Sequence, residues 1–165
     1  MIPRKTEPTV NKLTILSMDG EELYSTEKMS EAMDKLKEYG VSLDNIPLNR
    51  GPHWIDDNRA ILQKDVEEHG FTHLDIAYKA SAFYTNEHIH EDNEMRLFCV
   101  GTGTFYINID TCVLKIVCCE GDCLLVPPGT KHWFRTEGFV AIRFFTNQSG
   151  WSGQFTDSNI SKYIR

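Results

Sequence analysis

From about residue 74 the apolar residues of this chain recur with a period of two, and that change constrains its fold more than any other feature. Leu74-Asp75-Ile76-Ala77-Tyr78 opens the series. Phe105, Ile107 and Ile109 then alternate with Thr104, Tyr106 and Asn108, followed by Val113 to Val117, Cys123 to Val126 and Phe139 to Phe145. Alternation places one set of side chains on each face of a strand. Gly101-Thr102-Gly103, Glu120-Gly121-Asp122 and Pro127-Pro128-Gly129 punctuate the runs as turns. Several short strands at such spacing predict an antiparallel barrel or sandwich.

Upstream the period is helical. Met29, Ala32, Met33 and Leu36 sit at i, i+3, i+4 and i+7, which predicts a helix over about 26–38 with Ser25 as its N-cap and Gly40 beyond its end. A second helix is expected over about 57–68, with Ile61, Leu62, Val66 and His69 on its apolar side and Gly70 closing it. Leu13 to Met18 reads as a short first strand, and Asp157 as the cap of a brief C-terminal helix carrying Ile160, Tyr163 and Ile164 on one side.

A chain of 165 residues is expected to form one domain, with a helical part over 1–73, a barrel core over 74–146 and a tail over 147–165. It needs no disulfide or zinc staple at that length. Seventeen basic against 24 acidic residues leave a net charge of -7, so phosphate backbones and anionic lipid are poor partners. The five cysteines are odd in number and show no CxxC spacing, which suits free thiols in a reducing compartment. Met1-Ile2-Pro3-Arg4-Lys5 lacks the apolar run of a signal peptide, and no stretch approaches the roughly 20 apolar residues of a membrane span. A cytoplasmic monomer is expected.

The segment richest in chemistry is His88-Ile89-His90-Glu91-Asp92-Asn93-Glu94. In a strand, residues two apart share a face, so His88 and His90 can address one ion together. Glu94 would add a carboxylate from the neighbouring strand. His132, after the turn Pro127-Pro128-Gly129, would return another imidazole to the same interior. Three imidazoles and one carboxylate leave two positions free on a six-coordinate metal, which suits Fe(II), Ni(II) or Mn(II) better than a closed structural zinc. His53, His69 and His73 fall outside this pattern. Gly101-x-Gly103 is not a phosphate loop, because no helical pattern or further glycine follows at the required spacing.

The full spacing runs His88-x-His90-x3-Glu94-x6-Gly101, then Gly121-x5-Pro127-x-Gly129-x2-His132, and resembles both motifs of the cupin superfamily. It departs from them at Ala82 and Thr136, where the motifs carry a glycine and an asparagine. The resemblance implies a mainly β chain: a cupin β-barrel (double-stranded β-helix, or jelly roll) with N-terminal helices packed outside and a short C-terminal helix.

The flanking residues are similar to the acireductone dioxygenases of methionine salvage. They include Asn86-Glu87-His88-Ile89-His90, Glu94-Met95-Arg96-Leu97-Phe98, His132-Trp133-Phe134, Ala141-Ile142-Arg143-Phe144-Phe145 and Asn147-Gln148-Ser149-Gly150-Trp151. That likeness implies one Fe(2+) or Ni(2+) per chain on His88, His90, Glu94 and His132, with a small acireductone and O2 as partners. It implies that Arg96 stabilises the substrate anion, that Tyr84, Phe134 and Trp151 line the pocket, and that Glu87 supports a ligand imidazole. The strand period agrees for Arg96, which lies two residues after Glu94 and so shares its face. In the resembled family iron favours a keto acid plus formate, and nickel favours methylthiopropionate, formate and carbon monoxide. Asn93 stands where the family usually has an acid, Tyr84 where it often has phenylalanine, and the stretch before His88 is shorter than in typical bacterial members. The alternatives are another cupin dioxygenase, or a cupin that binds a small molecule without turnover.

Overall fold

The computed structural model describes residues 10–78, 82–147 and 153–165. The chain is mainly β. Its strands are β1 (Leu13–Leu16), β2 (Glu22–Thr26), β3 (Ser42–Asn45), β4 (His73–Ala77), β5 (His88–His90), β6 (Glu94–Asn108), β7 (Val113–Cys118), β8 (Asp122–Val126), β9 (Lys131–Phe145) and β10 (Gly153–Phe155). Three short helices, α1 (Met29–Lys37), α2 (Trp54–Ile61) and α3 (Gln63–Glu68), precede β4. Among the described residues no helix is long and apolar enough to cross a membrane.

The frame is the antiparallel pair β6 and β9, each 15 residues long, running in register from Met95↔Phe144 to Asn108↔Lys131. β6 changes its other neighbour along its length: the first part pairs β8, and the second part pairs β7. Two bulge-like register shifts, between Phe98 and Val100 and between Thr102 and Thr104, separate those parts. They also exchange the faces. Before the shift Glu94, Arg96 and Phe98 point inward, and after it Phe105 and Ile107 do, so the interior gains a row it would otherwise lose. The tract Gly101-Thr102-Gly103 is therefore a bulge inside one long strand, not the turn its composition suggests. Gly101 has φ 73°, and a Cβ there would stand 2.2 Å from the Gly138 carbonyl oxygen of β9.

Both faces of this frame are buried, for different reasons. Phe98, Phe105, Ile107, Leu114, Phe134 and Phe139 fill the interior. On the outer face Met95, Leu97 and Phe144 are covered by Leu62, Val66 and Phe71 from the helical layer. Tyr106 and Trp133, stacked at 5.2 Å, are covered by Ile160 and Ile164 of the C-terminal tail.

Several local expectations need correction. Ser25 belongs to β2, and the turn into α1 is held instead by Thr26, whose Oγ1 accepts the Lys28 N–H at 3.1 Å. The second helix is two helices with a break at Leu62, and Ile61 is left exposed because the break rotates it off the apolar side. The C-terminal helix is a single 3-10 turn, Ile160–Lys162. Asp157 sits before it in the left-handed region at φ 64° rather than capping it, and Ser158 Oγ accepts the Ile160 N–H at 3.2 Å. Ile160 and Ile164 are buried there, whereas Tyr163 faces solvent.

Candidate metal centre

Three strands meet at the inner end of the frame. β5 is only three residues long and presents His88 and His90 on one face, with Ile89 turned away. β6 begins with Glu94, and β9 places His132 directly opposite His88. The ring nitrogens of His88, His90 and His132 lie within 4.8 Å of one another. Glu94 Oε2 stands 2.7 Å from His132 Nε2 and 3.3 Å from His90 Nε2. All four side chains are buried. The structure thus brings together the four residues that the spacing singled out. His53, His69 and His73 lie elsewhere, at the ends of α2, α3 and β4.

Hydrogen bonds decide which nitrogen each ring turns inward. His88 Nδ1 is 2.7 Å from the Asn86 carbonyl, and His132 Nδ1 is 2.8 Å from the Thr130 carbonyl. A carbonyl oxygen only accepts, so each Nδ1 carries a hydrogen and Nε2 is the ring nitrogen left to face the centre. Burial, reinforced by the neighbouring His132, pushes the His88 imidazole down to about 4, which keeps it neutral at physiological pH. Burial alone would raise the Glu94 carboxyl. The His132 ring beside it and the Arg96 guanidinium outweigh that effect and hold it well below the usual carboxylate range. Glu94 Oε2 and His132 Nε2 are close, yet neither is aligned for a hydrogen bond. Three imidazole nitrogens and an ionised oxygen converging in a buried space form a donor set that fits a divalent cation, to which each ring would offer its inward lone pair.

Arg96 is buried two residues beyond Glu94, with Nη2 3.4 Å from Glu94 Oε1. Its guanidinium carbon lies 4.9 Å from the ring centre of Phe134, 5.3 Å from Phe105 and 5.8 Å from Phe139. Such contacts favour a guanidinium over a compact ammonium, since its planar face stacks on rings. Tyr84 is half-buried, its ring 5.1 Å from that of His88 and 6.1 Å from that of His90. Trp151 lies outside the described residues.

Glu87 is buried and fully engaged: Oε2 accepts from Asn108 Nδ2 at 2.9 Å, and Oε1 accepts from Thr156 Oγ1 at 2.6 Å. Its carboxylate thus ties the start of β5 to the end of β6 and to the C-terminal tail. The Nδ1 atoms of His88 and His132 are held by main-chain carbonyls instead. Asn108 and Thr156 are not legible in the sequence as partners of Glu87, because nothing in a lone polar residue announces a partner 21 or 69 positions away. Phe105 and Phe139 were visible as inward strand residues, but not as neighbours of Arg96.

Comparison with known proteins follows the same residues. The model of the ARD/ARD' family matches residues 9–153. An acireductone dioxygenase from Saccharopolyspora erythraea is 34% identical over 160 residues, covering 83% of this chain and 84% of the relative. Another, from Xanthomonas euvesicatoria pv. vesicatoria, is 38% identical over 120 residues, which span 66% of this chain but only 64% of that relative's length. Among solved structures, an acireductone dioxygenase from Bacillus anthracis with a cadmium ion in its active centre superposes with a TM-score of 0.70. It shares 21% identity and covers 88% of this chain and 99% of its own, a likeness that shows the cupin fold. Since the matched family model spans residues 9–153, from before β1 to the start of β10, and that span takes in His88, His90, Glu94, Arg96 and His132, this chain belongs to the ARD/ARD' family.

Proposed function

We propose that the chain is a metal-dependent acireductone dioxygenase that acts in methionine salvage on 1,2-dihydroxy-3-keto-5-methylthiopentene. The observation that carries this reading is the buried meeting of three imidazoles and a carboxylate with a guanidinium on the same strand face. His88, His90, His132 and Glu94 would hold one Fe(II) or Ni(II). Such an ion supplies open positions at which an enediol can bind and become electron-rich enough to meet O2.

The remaining work falls to the chain's own groups. Arg96 places a fixed positive charge beside Glu94, where it counters the charge of a deprotonated enediol. Phe105, Phe134 and Phe139 keep water from that charge, which strengthens it in the low-dielectric interior. Main-chain carbonyls of Asn86 and Thr130 keep two imidazoles in one tautomer, so their inward nitrogens stay available. Carbon–carbon cleavage would then give a keto acid and formate with iron, or methylthiopropionate, formate and carbon monoxide with nickel. Both ions would use the same ligands, so the products depend on which one is loaded.

The test is elemental analysis joined to product identification. Purified chain should carry about one iron or nickel and consume oxygen when given the acireductone. Arg96→Ala should keep the ion and lose about 100-fold or more in kcat, the scale seen when one charge-stabilising donor is removed. Loaded protein that leaves acireductone and oxygen unchanged would refute the dioxygenase reading.

A further inference from the structure

Gly103 sits in β6 opposite Cys118, in a backbone conformation open to any residue, so conformational freedom does not explain it. Space does. A Cβ at this position would stand 2.3 Å from both Cε2 and Cζ of Phe134, and 3.0 Å from Cε1 of Phe98. The edge of the Phe134 ring therefore occupies the place where a side chain would be. That ring has little room elsewhere, because Phe105, Phe139 and Phe98 surround it at centroid distances of 4.9, 5.3 and 6.1 Å. On it rests Arg96, 4.9 Å away, and Arg96 reaches Glu94 at 3.4 Å.

We infer that Gly103 is a positioning residue for Arg96. Its missing side chain sets the depth of the Phe134 ring, and that ring, with Phe105 and Phe139, boxes the guanidinium and aims it along Glu94 towards the three imidazoles. The identity of the anion met there rests on the dioxygenase reading; the placement of Arg96 does not. One methyl group is enough to disturb it. Ordinary carbon–carbon contact is about 3.5 Å or more, so an alanine forces the ring to move by about 1 Å. The crowded interior passes that movement on to the group stacked above.

The experiment is a double-mutant cycle of Gly103→Ala and Phe134→Leu in metal-loaded protein, since leucine has no ring edge to collide with the new methyl. Gly103→Ala should hold as much metal as the parent chain, because its methyl meets Phe134 and Phe98 rather than a ligand. Its kcat/KM for acireductone should fall about 100-fold, the size of effect a misplacement near 1 Å produces. Its crystal structure should show the Phe134 ring and the Arg96 guanidinium displaced. In the Phe134→Leu background the same glycine change should cost less than about threefold, since the two sites interact only through that ring. An Arg96 left in place in Gly103→Ala overturns the inference. An equal loss in both backgrounds does so too, and that comparison holds even if the single variant folds poorly. Should the parent chain be inert towards acireductone, the dioxygenase reading fails on its own, and the crystallographic displacement of Arg96 still decides the role of Gly103.

Discussion

His88 shows how much a single buried ring can do. Its imidazole is pushed down to about 4 by burial first and by His132 second, whereas the same ring in an unfolded chain titrates at its ordinary value of 6.5. Below pH 6.5 the unfolded metal-free chain takes up a proton that the folded chain refuses. The fold therefore loses stability as pH falls from 6.5 to about 4, with no further loss from this group below that. The span corresponds to about 3 kcal/mol at most. Urea melts of chelator-treated protein at pH 7 and pH 4.5 measure it, with His88→Asn as the reference that lacks the ring. The parent chain should lose more stability between the two pH values than the variant does. Equal losses would mean that His88 is not held neutral by its surroundings.

At the level of elements, the exchange of faces within β6 is the device that builds the site, and Gly101 bears its cost. A Cβ on Gly101 would meet the Gly138 carbonyl oxygen at 2.2 Å, so the two central strands would have to part. Gly129 has the same φ of 73° with nothing within 4 Å, so it serves as the control for backbone strain alone. Alanine at either position should cost about 1–3 kcal/mol for the left-handed conformation. Gly101→Ala should exceed Gly129→Ala by at least about 1 kcal/mol, the usual scale of overpacking, in paired denaturant melts. A bulge also explains what could be read from the chain and what could not. Period two disclosed that Phe105 and Ile107 share a face, and i, i+2 spacing disclosed that His88 pairs with His90 and Glu94 with Arg96. Glycines inside a period-two run look alike whether they end a strand or bend it, so in the sequence β6 and β9 resemble several short pieces. β2 and β3 escaped notice because Glu22–Thr26 and Ser42–Asn45 are largely polar edge segments whose pairing is decided by β1 and β8. The partners of Glu87 were equally hidden, since register across the sheet, not local sequence, brings Asn108 and Thr156 to it.

Over the whole molecule, the candidate centre joins segments far apart in the chain: among the described residues β5 pairs β9 at His88↔His132 and β10 along its length, while Glu87 reaches Asn108 and the His90 carbonyl accepts the Gly129 N–H. A cation shared by His88, His90, Glu94 and His132 would add a direct tie between β5, β6 and β9. It would bind only the folded chain, because the four donors converge only there, so its binding energy adds to folding stability. At a free concentration about 100 times its dissociation constant the gain is about 3 kcal/mol. For a chain of this size that is a shift of roughly 5–10 °C in the unfolding midpoint. Calorimetry with and without chelator should show the loss, and Fe(II) or Ni(II) added back should reverse it. A second set of possible donors, Asp65, Glu68 and His69 on α3, is partly open to solvent, where a cation keeps its water and gains little. His69→Ala should thus keep the full metal-dependent shift, and His132→Ala should lose it. A shift that survives in His132→Ala but vanishes in His69→Ala would move the metal to the surface of α3 and leave the buried imidazoles without their ion.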